Sequence, residues 1–104
     1  MNSKALIVAR VALDIQELTK GTDVTLGNDT ASVTFSKTER TKFHLKSDKH
    51  GCSTSARYFC KGKWHDLKSV TILAKYLHRD GLFDTFFDAL KAHDVSLKFL
   101  MEEL

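Results

Sequence analysis

The chain has 104 residues and a formal net charge of +3, with 42% hydrophobic and 28% charged residues, two cysteines and no proline. That length holds one core and excludes two independent domains, and the composition is that of a globular chain that buries about two-thirds of its unfolded surface without a metal or a disulfide. No apolar run reaches the roughly 20 residues of a membrane helix, and a chain without proline contains no polyproline linker or ligand.

Residues 4–20 fit two patterns. As a helix, Ile7, Val11, Ile15 and Leu18 line one face with Val8 beside them, Asn2 or Ser3 caps the start, and Lys20 and Gly21 supply the stop. As a strand, Ile7, Ala9, Val11, Leu13 and Ile15 alternate. Seventeen residues is long for a strand, and Ala, Leu, Arg, Gln and Glu favour a helix, so the helix is preferred. The apolar stretch Ala5–Leu13 behind Lys4 imitates a secretory signal. Arg10 interrupts it and no small-residue cleavage site precedes Asp14, so it reads as part of the fold. The expectation is a cytoplasmic protein with Cys52 and Cys60 reduced.

Residues 23–61 read as a four-stranded antiparallel meander. Val24 and Leu26 alternate with Thr25. Gly27, Asn28 and Asp29 make a hairpin turn, since these residues tolerate positive φ. Val33 and Phe35 alternate with polar neighbours, as do Phe43 and Leu45. A polar loop at Ser47–Gly51 leads to a fourth strand through Ala56–Cys60, and Gly62 occupies the turn after it. From Asp66 the period becomes helical. Asp66 is a fair N-cap, and Leu67, Val70, Leu73, Ala74 and Leu77 keep i, i+3, i+4 spacing. Asp80–Gly81 ends that helix, Leu82, Phe83, Phe86, Phe87 and Leu90 form the next stripe, and Asp94 opens a last short helix with Leu97, Leu100, Met101 and Leu104.

The predicted architecture is a single α+β domain spanning residues 1–104. It has an N-terminal helix, four strands in a meander, and two to three C-terminal helices packed on one sheet face. One face of an antiparallel sheet must be covered, and the apolar helices supply the cover.

Charge is segregated along this order. Residues 37–68 carry nine cations (Lys37, Arg40, Lys42, Lys46, Lys49, Arg57, Lys61, Lys63, Lys68) against three carboxylates (Glu39, Asp48, Asp66), whereas residues 80–104 carry six acids and two lysines. Segregation of this kind speaks to partners rather than to fold. With Val24, Leu26, Val33, Phe35, Phe43 and Leu45 inward, Lys42, His44 and Lys46 face water. On the fourth strand either Ala56, Tyr58 and Cys60 or Arg57, Phe59 and Lys61 face out. The second set is the more polar and is preferred. Lys42, His44, Lys46, Arg57, Phe59, Lys61 and Lys63 are the candidate binding residues, because Lys and Arg attract phosphates or carboxylates and an aromatic ring offers bases a stacking surface.

Other constellations are weaker. His50, Cys52, Cys60 and His65 are zinc-ligand types, but they lack a paired-cysteine knuckle. Two cysteines bracketing one extended strand would stand up to ~27 Å apart at about 3.4 Å per residue. His44 and His65 with Lys42 or Lys63 could supply acid, base and phosphate clamp for RNA cleavage, although no spacing enforces their proximity. The five glycines match no phosphate-binding loop. No catalytic set, metal or cofactor is therefore predicted. The leading expectation is a small non-enzymatic regulatory or inhibitory protein that docks an acidic macromolecule, protein or nucleic acid, through a basic sheet face and has no membrane partner. Regulators made by phages and mobile elements commonly share this size and architecture, which is analogy only. A direct RNA- or DNA-binding protein using the same face is the alternative, and a small ribonuclease-like toxin the third. The broad apolar stripe around Phe83, Phe86 and Phe87 also offers a homodimer surface.

Overall fold

The computed structural model describes residues 3–18, 22–27, 30–38, 40–47 and 54–101. The Lys20–Gly21 stop, the Asn28–Asp29 turn residues, the loop from Asp48 through Gly51, His50 and Cys52 of the zinc constellation, and Leu104 lie outside the described residues. Helix α1 (Ser3–Leu18) is followed by five strands, β1 (Asp23–Leu26), β2 (Ala31–Phe35), β3 (Lys42–Ser47), β4 (Thr54–Cys60) and β5 (Lys63–Leu67). Helices α2 (Val70–Arg79), α3 (Phe83–Ala92) and α4 (Leu97–Met101) complete the order. The strands form one antiparallel sheet in sequence order. The class is α+β, as expected, with five strands rather than four.

The N-terminal segment, described through Leu18, resolves in favour of the helix. Ala5, Val8, Ala9, Val11, Ala12 and Ile15 are all buried, and the three alanines on this face let α1 lie close against β1, β2, β3 and α3. His93 Nε2 meets Asp14 Oδ2 at 2.7 Å and ties the end of α3 to α1.

The sheet's inner face carries the core. Val33, Leu45, Ala56 and Leu67 form one cross-strand row, and Phe35, Phe43 and Tyr58 form the next; all are buried. Phe35 stacks between Phe43 and Phe86, at centroid distances of 5.5 and 5.6 Å, and so links two strands to α3. Tyr58 stacks on Tyr76 of α2, and its hydroxyl donates to both Asp80 carboxylate oxygens at 3.0 and 3.1 Å. Burial, the largest cause, holds the Tyr58 hydroxyl above its usual pKa of 10.0; Asp80 adds to this and a bond with Thr41 opposes it.

The predicted helix start at Asp66 is incorrect. Residues 63–67 form β5, and α2 begins at Val70, capped by Ser69, whose hydroxyl accepts from the Ile72 amide at 3.2 Å. The cause is local. Lys61 and Gly62 both adopt positive φ, 51° and 78°, as a tight two-residue hairpin turn requires. The returning chain then pairs Trp64 with Phe59 and Asp66 with Arg57. A cross-strand aromatic pair and a cross-strand ion pair favour the strand, and Leu67 serves the sheet core rather than a helix stripe.

Candidate interaction face

Strand parity places two cross-strand rows on the open face. The first is Lys42–Phe59–Trp64, on β3, β4 and the edge strand β5, at the end of the sheet that holds the Lys61–Gly62 turn. The second is Asp23–Thr34–His44–Arg57–Asp66, across all five strands. Ser32, Lys46 and Ser55 form a third row beside them. On β4 the alternation resolves as preferred, since Ala56 and Tyr58 are buried and Arg57 is exposed. Lys42, His44, Lys46, Arg57 and Phe59 therefore share one face.

Lys61 and Lys63 do not join these rows. Lys61 occupies the hairpin turn, and Lys63 pairs with Cys60, with the parity of the inner face. Both remain exposed at the tip next to the Phe59–Trp64 pair. Antiparallel register puts the β2–β3 connection at this same end, so Lys37 and Arg40 gather there with Lys42, Lys61 and Lys63. An open cleft of about 500 Å³ at that end is lined in part by Lys37, Arg40, His78 and Arg79.

The aromatic cluster of the face is built on Trp64 of the edge strand β5, which sequence reasoning did not single out. Its side chain is exposed, at 38% of its full accessible surface. The Phe59 ring lies 5.2 Å from it and the His44 ring meets it edge-on at 6.0 Å. Cations sit on both larger rings, with the Arg57 guanidinium carbon 5.3 Å from the Trp64 centroid and Lys42 Nζ 5.9 Å from that of Phe59. The sequence signal for this cluster is the Lys–Gly pair between two aromatic strand segments, Tyr58–Phe59 and Trp64. A two-residue hairpin there makes Phe59 and Trp64 neighbours by register alone.

The electrostatics of the face are lopsided. Asp66 pairs with Arg57 at 3.4 Å, but both side chains are largely in water, so the pair is weak and screened by salt. Arg57 thus remains available to a ligand. His44 Nδ1 lies 2.8 Å from the Thr34 hydroxyl. Burial first, and then the positive charges of Arg57 and Lys46, push its pKa below 6.5 and favour the neutral ring. His44 and His65 lie on strand positions of opposite parity, so the proposed cleavage pair is not brought together. Among the described residues no three His, Cys, Asp or Glu side chains gather as a metal site, and no helix is long and apolar enough to cross a membrane. Comparison with protein-family models, with curated proteins and with solved structures finds no match to this chain.

Proposed function

We propose that the protein is a non-enzymatic regulatory or inhibitory binding module that docks an acidic macromolecule inside the cell through the outer face of its sheet. The observation that carries this reading is the row Lys42–Phe59–Trp64 with Arg57 and Lys46 beside it. Cations already lie over two rings that water reaches, and the acids of these rows, Asp66 on β5 and Asp23 on β1, stand at the two edges of the sheet. The inner face is committed to the core, so the outer face is the broad surface left for a partner. The non-enzymatic part of the reading is supported by the separation of His44 from His65 and by the absence of a phosphate-loop glycine pattern in the sequence.

The test is charge reversal. The double variant Lys46→Glu, Arg57→Glu should weaken partner capture from host lysate while the circular dichroism spectrum of the fold is retained. Both residues are exposed on the open face, so the substitutions leave the core untouched. Unchanged capture by the double variant refutes the assignment and moves the interface to the helices.

A further inference from the structure

We propose that the partner of this face is single-stranded nucleic acid, with bases stacked on Trp64 and Phe59 and backbone phosphates held by Lys42, Lys46 and Arg57. The inference rests on the docking role of the outer face and names the chemistry of what docks there.

Charge alone does not separate a nucleic acid from an acidic protein, and rings alone do not either, since Trp, Phe and Arg also anchor protein interfaces. The separating feature is that each ring carries a cation against it, an arrangement that a base and its own phosphate fill together. Rings left partly exposed at one end of a polar face carry a hydration cost that the free protein does not recover. A nucleobase recovers it, because every base has a π face, and stacking on an aromatic side chain tolerates any sequence. The cations are placed accordingly. Arg57 and Lys42 sit against the rings rather than apart from them, so a base on a ring brings its phosphate within their reach.

A duplex does not suit this surface. Its bases present edges to the grooves and keep their faces stacked, out of reach of rings that lie on a sheet. A single strand exposes both faces. The distance from β5 through β4 to β3 is two strand spacings, about 10 Å, a platform for a few bases rather than a long tract. Beyond it the same end of the sheet offers Lys61 and Lys63 on the β4–β5 hairpin, a continuation of the phosphate path.

Trp64 is the single tryptophan of the chain, so its fluorescence reports on this face alone. The experiment titrates the full chain with oligothymidylate about 12 nucleotides long, within the usual range of site sizes. The comparison probes are a duplex of the same length and polyglutamate, all at about 50 mM salt. The expected result is quenching of Trp64 by the single strand, weaker binding of the duplex, and no comparable quenching by polyglutamate. Three phosphate contacts give a slope of log K against log salt of about −2. Trp64→Leu should lose about 5- to 150-fold in affinity, and Trp64→Phe, which restores a π face, should recover most of it. The inference is overturned if the oligonucleotide does not bind, if polyglutamate binds equally well, or if Trp64→Leu binds like the parent. Should the nucleic acid fail while the Lys46→Glu, Arg57→Glu variant still loses a protein partner from nuclease-treated lysate, the docking face stands and its ligand is a protein. If both fail, the docking face falls as well.

Discussion

Phe86 and Phe87 are neighbours on α3 with opposite environments, and replacing each by alanine tests the layer that leaves the outer face free. Phe86 is 2% exposed and stacks on Phe35, which in turn stacks on Phe43; Phe87 is 47% exposed and touches Phe83 at a centroid distance of 5.7 Å. Phe86→Ala removes a ring from the centre of the helix–sheet interface and leaves a cavity that Phe35 cannot fill without leaving its own stack. The cost is about 3–5 kcal/mol, against a total stability of about 5–15 kcal/mol for a domain of this size. At about 4–8 °C per kcal/mol, the melting temperature should fall by roughly 12–40 °C. Phe87→Ala forfeits mainly one exposed ring contact, about 0.5–1 kcal/mol. Urea denaturation reads both, as a lowered midpoint with an unchanged slope. Equal losses for the two variants would refute the packing of α3 through Phe86. A loss for Phe87→Ala that exceeds 2 kcal/mol and grows with protein concentration, roughly the sign of a covered surface, would show that the exposed side of α3 is the contact of a homodimer.

Stability should decline as the pH falls below 6.5, in part through His44. Its native pKa is depressed, so the unfolded chain binds the proton first. The stabilising contribution is complete above 6.5 and is lost as the pH falls toward the native value. Urea titrations over that window should show a shallower pH slope for His44→Gln than for the parent, and equal slopes would remove His44 as the cause. Tyr58→Phe should cost about 1.5 kcal/mol, the lower end for a bond to a charged acceptor, because Asp80 stays in partial contact with water. The raised native pKa of Tyr58 also predicts that the parent loses stability as the pH climbs past 10.0, and that the Phe variant lacks this contribution. A variant as stable as the parent at pH 7 would mean that the Tyr58–Asp80 bond contributes nothing net.

The α+β class, the N-terminal helix, the first four strands and the inward residues Val24, Val33, Phe35, Phe43 and Leu45 were all legible in the chain, whereas Leu26, also expected inward, is exposed on the edge strand β1. Period-2 and helical spacing are local signals, and one face of each element had to be apolar to be buried. The segregation of positive charge into residues 37–68 was equally legible, because it needs no fold to be counted. The tertiary structure alone decided what that charge surrounds. Residues 63–67 carry Lys63, His65 and Asp66, too many polar groups for a strand to announce itself, and Asp66 with Leu67 imitates the start of a helix. Pairing across the Lys61–Gly62 turn overrides that local signal: β5 needs β4 beside it, and a contact between chain segments is not a property of either segment read alone. The same pairing carries Trp64 to Phe59 and turns a run of basic residues into a face with an aromatic cluster at one end.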